Sequence, residues 1–311
     1  MTAIVIGLDG GGSKTRVIVA DEQGRTVSAV EGAGCAVRPG GVERSAEAIA
    51  ALVRDALASA GMTHVVPKVL CAGVAGVGRD ADRQALWQAL TSSELAEEVV
   101  VHPDAAVALD DAFGEDAGIL LVAGTGSIAY ARSPAGAFGR CGGWGPVFGD
   151  EGSGAWIGRR ALSVVTAASD GREPETALTG AVLTATQSNE VRDLVDWAAA
   201  ATPAGLATLA PAVFATAQAG DLRASAIVTL AAEELTLHVR ALARQLFVDE
   251  RASVQVALAG GLLSPRSPLR RRVELRLKSA VPGAEVLPKE IDPARGAVRG
   301  ALRYLGTTAT S

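Results

Sequence analysis

Short apolar runs that end in turns dominate the beginning of the chain. Residues 4–8 form a β-branched run that stops before a cluster of three glycines, and a second apolar run follows at residues 17–20. A polar turn then leads into a third strand at residues 26–30, so these segments predict a β-meander. From residue 42 to residue 57 the apolar positions instead recur every three or four residues, which predicts an amphipathic helix. A mixed α/β fold is therefore expected.

The same order of segments begins again near Gly118. A strand at residues 119–123 ends in a turn of glycine and hydroxyl residues, and residues 128–131 return as a strand. Two strand–turn–strand units with similar turn chemistry predict a duplicated fold with one glycine-rich turn in each lobe; two unrelated hairpins are the alternative. Beyond them the pattern predicts mostly helix over residues 159–247, a strand at residues 254–258 and a last helix at about residues 294–305.

Composition and charge exclude several classes of protein. The 311 residues are 49% hydrophobic and 20% charged, as in a globular protein, and the net charge of −5 argues against a nucleic-acid partner. Three widely spaced cysteines form no zinc motif and fit a reducing compartment. Because we find neither a signal-peptide pattern nor an apolar run of about 18–20 residues, we expect a cytoplasmic enzyme without a membrane partner. The run Arg270-Arg271-Arg272 is predicted to be a solvated helix face.

The first glycine cluster predicts a phosphate-binding turn. Consecutive glycines allow backbone N–H groups to approach an anion without obstruction by Cβ atoms. Asp9 ends the preceding strand and could hold Mg²⁺ directly or through water. The turn is not a Walker A loop, because Gly-Lys-Ser/Thr is missing and no helix follows; a plain glycine hairpin is the alternative. The turn consists of Gly10, Gly11, Gly12, Ser13, Lys14 and Thr15, of which the last three add hydroxyl groups and a cation.

A second candidate phosphate turn follows the strand at residues 119–123. Two turns in repeated contexts could bind the phosphates of one nucleotide from both sides. Gly260 and Gly261 follow a later strand and would let a flat purine ring lie against the backbone, with an ordinary strand-end turn as the alternative. The second turn consists of Gly124, Thr125, Gly126 and Ser127.

Asp104 is the candidate catalytic base. It follows a predicted strand at residues 99–102 and Pro103. In phosphoryl transfer the attacking hydroxyl group loses its proton late, so a carboxylate with an ordinary pKa of about 4 suffices. The alternatives are that Asp104 caps the next helix, a position that aspartate fills well, and that His102 is the base instead.

A glycine-dense segment at residues 141–153, called the sugar loop below, is the candidate substrate site. Trp144 offers an apolar face to a sugar ring, while Asp150 and Glu151 offer acceptors for its hydroxyl groups. The alternative is a structural glycine loop followed by a capped helix.

These motifs resemble those of the N-acetylglucosamine kinase and glucosamine kinase group. That group lies within a BadF/BadG/BcrA/BcrD-type family, which also includes activator ATPases of 2-hydroxyacyl-CoA dehydratases and benzoyl-CoA reductases. The resemblance covers nearly the whole chain, and its most specific parts are the segments Cys141–Gly145 and Gly149–Ser153. It implies ATP and Mg²⁺ as cofactors, an amino sugar as substrate and a homodimer. It also implies that Asp104 is the base and that Cys141, Gly143, Trp144, Asp150 and Glu151 bind the substrate.

The resemblance further implies a two-lobed actin-like ATPase fold. Two duplicated ribonuclease-H-like domains would close on an interlobe cleft. The N-terminal lobe would contain residues 1–113 plus about 292–311, and the C-terminal lobe would contain residues 114–291. From this we expect ATP-dependent phosphorylation of N-acetylglucosamine or glucosamine at O6.

One stretch departs from the group and leaves the sugar open. Near residues 34–40 the group usually has an asparagine that binds sugar hydroxyl groups, whereas this chain has Cys35 and Arg38. Arg38 raises the alternative of an acidic sugar such as N-acetylmuramic acid, unless it is simply exposed to solvent. Two further alternatives are a non-catalytic sugar sensor and an activator ATPase. Activators bridge an iron–sulfur cluster with two cysteines per chain, but Cys71 and Cys35 lack the expected glycine-rich context.

Overall fold

The chain forms two compact units. The computed structural model describes residues 3–12, 14–247 and 253–308. One unit contains the chain up to Asp116 together with the segment from Ile291 onward, and the other contains Ala117–Glu290. Within the described residues, each unit is built on one five-stranded sheet.

Both units combine strands and helices, and each begins with three consecutive strands. The strands are β1 (Ile4–Gly10), β2 (Lys14–Asp21), β3 (Thr26–Ala33), β4 (Val69–Val74), β5 (Glu98–Pro103), β6 (Gly118–Ala123), β7 (Ser127–Arg132), β8 (Phe138–Gly142), β9 (Val254–Ala259) and β10 (Ala284–Val286). The helices are α1 (Val42–Ser59), α2 (Asp80–Thr91), α3 (Asp104–Phe113), α4 (Gly154–Ser169), α5 (Leu178–Thr186), α6 (Asp193–Ala200), α7 (Pro203–Ala207), α8 (Ala210–Gln218), α9 (Leu222–Leu246), α10 (Pro268–Ala280) and α11 (Pro293–Thr308). A 3₁₀ turn at Gly261–Leu263 follows β9.

The two sheets have the same topology. The order is β3-β2-β1-β4-β5 in the first and β8-β7-β6-β9-β10 in the second. In each sheet the first three strands form an antiparallel meander, and the last two strands run parallel to the first. As a result, β2 is antiparallel to the other four strands of its sheet, and β7 is antiparallel to the other four strands of the second sheet. This repeat confirms the predicted α/β class and the predicted duplication of a ribonuclease-H-like sheet.

Helices cover both faces of the first sheet, which is why β1 is apolar at almost every position. Ile6 and Leu8 face a core shared with α1, whereas Val5 faces a second core shared with α11. The second sheet is covered mainly by the long α9, against which α4 and α10 pack.

Two glycines allow α11 to lie unusually close to its neighbours in the first unit. A Cβ atom at Gly7 would lie 2.4 Å from the Ala294 carbonyl oxygen, and one at Gly296 would lie 1.8 Å from the Val107 carbonyl oxygen. The Arg299 guanidinium also pairs with the buried Asp111 of α3. The last helix therefore fixes the position of α3, whose first residue is Asp104.

In the part of the chain that the structure describes, no helix combines the length and the apolar character needed to cross a bilayer.

Candidate active site

The first glycine turn joins β1 to β2 and is braced by the chain that follows β3. Gly11 N–H donates to the Lys14 carbonyl oxygen at 3.0 Å, and Ala36 N–H donates to the Gly11 carbonyl oxygen at 3.2 Å. A Cβ atom at Gly34 would lie 2.4 Å from the Gly12 carbonyl oxygen, so the bracing segment touches the turn directly. Ser13, predicted to be part of this turn, lies outside the described residues.

The first turn carries an exposed cationic side chain, Lys14, and a buried hydroxyl side chain, Thr15. The Lys14 side chain is 70% exposed and its Nζ lies 3.8 Å from Glu31 Oε1. Thr15 is buried, and its hydroxyl group donates to the Ala33 carbonyl oxygen at 2.8 Å. In this structure the Thr15 hydroxyl group holds the turn in shape, and its contact with phosphate stays a prediction.

Cys35 and Arg38, which mark the departure from the kinase group, have different surroundings. Cys35 is buried beneath the first turn, where a Cβ atom at Gly10 would lie 2.6 Å from its Sγ. Arg38 is exposed. Cys35 thus supports the turn, and Arg38 remains accessible to a ligand or to solvent.

Asp9 lies in an acidic environment within the first unit. Burial is the main reason that its pKa rises to about 7, and the charges of Asp104 and Asp292 raise it further, against smaller opposing effects of Lys14 and Arg16. Asp292 precedes α11 and its Oδ2 lies 3.4 Å from Arg16 Nη2. Sequence reasoning missed Asp292 because the whole second unit and most of the first separate it from Asp9 along the chain.

These carboxylates suit a hard divalent cation. Oxygen ligands are what Mg²⁺ prefers, and a cation would relieve the like-charge repulsion that raises the pKa of Asp9. Among the described residues, no three metal-binding side chains lie close enough together to hold a metal by themselves. That finding fits Mg²⁺, which usually keeps several waters and takes ligands from phosphates.

Asp104 begins α3 and does not serve as its N-cap. The capping position belongs to Pro103, and Asp104 Oδ1 accepts from Ala105 N–H at 2.9 Å. Burial raises the pKa of Asp104, partly offset by backbone N–H donors at the helix start. Burial also lowers the pKa of His102, the competing base on β5. Asp104 is thus a half-buried carboxylate that binds a proton more readily than an ordinary aspartate.

The second glycine turn joins β6 to β7 and is bonded to the start of α4. Gly154 N–H and Ala155 N–H donate to the carbonyl oxygens of Gly124 and Thr125 at 2.8 and 3.1 Å. The Ser127 hydroxyl group donates to the Glu151 carbonyl oxygen at 2.7 Å. As with Thr15, the hydroxyl group of Ser127 shapes the turn in this structure, and its contact with phosphate stays a prediction.

Asp150 connects the second turn to the sugar loop. Its φ is +54°, a conformation that is uncommon for a residue other than glycine. Oδ1 accepts from Gly145 N–H at 3.2 Å, and Oδ2 would lie 2.7 Å from a Cβ atom at Gly126. Burial raises the pKa of Asp150, while the N–H groups of Gly145 and Ser127 oppose that shift. The second turn and the sugar loop therefore form one hydrogen-bonded structure.

The sugar loop presents an exposed aromatic ring. Trp144 is 64% exposed, and the Arg140 guanidinium lies 4.7 Å from its ring centroid. Gly143 has a φ of +70°, and a Cβ atom there would lie 2.3 Å from the Ile128 side chain. Cys141 is half-buried at the end of the β7–β8 pairing, opposite Ala129. Exposed Trp144 suits stacking on the apolar face of a sugar, whereas Cys141 and Gly143 set the path of the loop.

The third glycine site follows β9. Gly260 has a φ of +90°, and a Cβ atom there would lie 2.3 Å from the Ala123 carbonyl oxygen, so only glycine fits. Gly261 begins the 3₁₀ turn, which is supported from below by Arg270: its guanidinium donates to the Leu263 carbonyl oxygen at 3.0 Å. The predicted solvated face is therefore wrong for Arg270, which is buried and paired with Glu274.

Comparison with known proteins extends over nearly the whole chain. The model of the BadF/BadG/BcrA/BcrD ATPase family matches residues 6–302. An N-acetyl-D-glucosamine kinase from Dictyostelium discoideum is 30% identical over 313 residues, which cover 96% of this chain and 98% of the relative. An N-acetylmuramic acid/N-acetylglucosamine kinase from Clostridium acetobutylicum is 29% identical over 296 residues, covering 94% and 96%. A solved structure of a candidate N-acetylglucosamine kinase from Chromobacterium violaceum has a TM-score of 0.81 at 30% identity, covering 96% and 98%.

Proposed function

Because this chain belongs to the BadF/BadG/BcrA/BcrD ATPase family, we propose that it transfers the γ-phosphoryl group of ATP to O6 of an amino sugar, N-acetylglucosamine or glucosamine. One observation carries the proposal: the exposed Trp144 ring, the Asp150 carboxylate and the second glycine turn belong to one hydrogen-bonded structure. A sugar site and a phosphate site joined in this way suit transfer between the two ligands. The similarity to sugar kinases along the full chain supports the same function.

In this proposal Asp104 orients the sugar hydroxyl group and accepts its proton. Burial raises the pKa of the Asp104 carboxylate, which makes it a stronger base than an exposed aspartate. The hydroxyl proton is lost late in phosphoryl transfer, so orientation is the larger part of its contribution.

The glycine sites hold the nucleotide. Backbone N–H groups of the two turns bind the phosphates, Lys14 adds a positive charge, and Gly260 with Gly261 accommodates the adenosine. Asp9, with Asp104 and Asp292 nearby, would hold Mg²⁺, which neutralises phosphate charge when bound.

A second candidate substrate is N-acetylmuramic acid. Arg38 is an exposed cation just after the segment that braces the first turn, and it could pair with the carboxylate of that sugar. An activator ATPase is less well supported, because Cys35 and Cys71 are buried in the first unit. The family resemblance also favours a homodimer, which light scattering would test.

The deciding experiment is ADP release from Mg·ATP with a panel of sugars. The panel contains glucosamine, N-acetylglucosamine, N-acetylmannosamine, N-acetylmuramic acid and glucose. We expect strong stimulation by one amino sugar. Basal hydrolysis that no sugar stimulates would refute the proposed function and favour an activator ATPase.

A further inference from the structure

His238 is a buried titratable side chain that the proposed transfer does not use. It lies on α9, next to the apolar Leu235 and Val239, and is only 7% exposed. Its ring packs against Gly142 of the sugar loop, where φ is +74° and a Cβ atom would lie 2.6 Å from Nε2. Because Gly142 has no Cβ atom, the imidazole ring of His238 can lie against the loop at this position.

The two ring nitrogens of His238 have different surroundings. Nε2 lies 3.7 Å from Oε2 of Glu151, whereas Nδ1 is buried without a hydrogen-bond partner among the described residues. Burial lowers the pKa of His238 despite the opposing charge of Glu151, so the ring is neutral near pH 7. A neutral ring carries one N–H group, and this geometry favours its position on Nε2, facing the carboxylate.

Glu151 lies close to other acidic groups, so an N–H donor from His238 would stabilise its negative charge. Burial is the main reason that the pKa values of Asp150, Glu234 and Cys141 are raised, and the charge of Glu151 raises all three further. A carboxylate in such surroundings gains from a fixed donor that also holds it in place. A separation of 3.7 Å exceeds a hydrogen bond, but a small rotation of the Glu151 side chain closes it.

We propose that His238 is a positioning residue, whose Nε2–H group holds the Glu151 carboxylate in the orientation that accepts a hydroxyl group of the amino sugar. The identity of the ligand rests on the proposed function. Since His238 acts through Glu151, its loss weakens sugar binding and leaves ATP binding unchanged.

Two substitutions of His238 distinguish the effect of its N–H donor from the effect of its volume, and a third variant is a control. His238→Gln keeps an N–H donor near the position of Nε2, His238→Met fills similar volume without a donor, and His64→Met at an exposed histidine is the control. We expect His238→Met to raise the KM for the amino sugar about tenfold, with kcat and the KM for ATP within about twofold. His238→Gln should restore most of the sugar affinity. Equal sugar KM values for the wild type and His238→Met would overturn the proposal.

A second measurement does not depend on activity. Nitrogen-15 NMR distinguishes the Nε2–H and Nδ1–H tautomers, and the chain has three histidines, so the His238→Gln spectrum assigns the signals. We expect the Nε2–H tautomer at pH 7 and a changed ring signal in Glu151→Gln. The Nδ1–H tautomer, or a signal indifferent to Glu151→Gln, would overturn the proposal. The expected NMR result with no phosphorylation of any sugar would overturn only the proposed function.

Discussion

Asp9 should reduce the stability of the folded protein at neutral and alkaline pH, and Asp9→Asn should remove that effect. The pKa of Asp9 rises from 3.8 to about 7 on folding, mainly through burial. Between these values the unfolded chain has released the proton while the folded chain still binds it, so stability falls as pH rises through this window and is constant above it. Asparagine has nearly the same shape and does not titrate, so the variant lacks this fall.

The expected loss of stability depends on the pH range over which the free energy of unfolding is compared. Between pH 5 and pH 8 the wild type should lose about 2.5 kcal/mol through Asp9, because each pH unit between the two pKa values corresponds to about 1.4 kcal/mol and the loss levels off above pH 7. The free energy of unfolding is measured by urea titration at pH 5 and pH 8 in EDTA, which removes divalent cations. Subtracting the change in Asp9→Asn from the change in the wild type removes the contributions of other groups.

Asp21 provides a control of opposite sign. Burial works against its charge, but hydrogen bonds from Arg25 and from Gln23 N–H lower its pKa overall. Asp21→Asn should therefore lose stability at pH 8, where Asp9→Asn gains it. Identical pH dependence in the wild type and Asp9→Asn would show that Asp9 is not desolvated, and would refute the account of the acidic site given above.

Three further predictions test the site and its support. Asp104→Asn should reduce kcat by a factor on the order of 10²–10⁴ while calorimetry shows nearly unchanged ATP affinity; unchanged turnover would exclude Asp104 as the base. Gly126→Ala should raise the sugar KM, because the added methyl group would lie 2.7 Å from Asp150 Oδ2, whereas Gly180→Ala at an exposed position of α5 has open space around it and should not; equal KM values in steady-state assays would contradict this. Gly296→Ala should lower the free energy of unfolding by about 3 kcal/mol, since it forces α11 away from α3, while Gly306→Ala on the same helix has open space; urea denaturation of both decides.

Local features of the fold could be predicted from the sequence because their causes are local. The glycine turns and the antiparallel meanders depend on neighbouring residues and on the alternation of apolar positions. The repeated strand order followed from the recurrence of the same strand–turn–strand pattern. The pattern also predicted a helix after Pro103 and Asp104, and the structure begins α3 one residue earlier, at Asp104 itself.

The rest could not be predicted because distant segments determine it. Asp292 reaches Asp9 only after the chain has returned from the second unit, and no spacing rule connects them. His238 looks like one polar position in a long alanine-rich helix, and only the missing Cβ of Gly142 shows that its ring has a place in the sugar loop. Hydrophobic periodicity likewise does not show which of the three consecutive arginines at residues 270–272 is buried. In the structure it is Arg270.

Duplication has produced two glycine turns with the same topology and different supports. The turn between β1 and β2 is braced by backbone and lies beside ionisable groups, Asp9 above all, so its electrostatics respond to a bound cation. The turn between β6 and β7 shares hydrogen bonds with α4 and the sugar loop, so it cannot shift without moving Asp150. The carboxylates that attract a cation would repel phosphate in its absence, so phosphate binding at the first turn should depend on the cation. If both turns bind phosphate as proposed, the duplicated fold combines one turn that depends on a cation with a second turn that is coupled to the sugar loop.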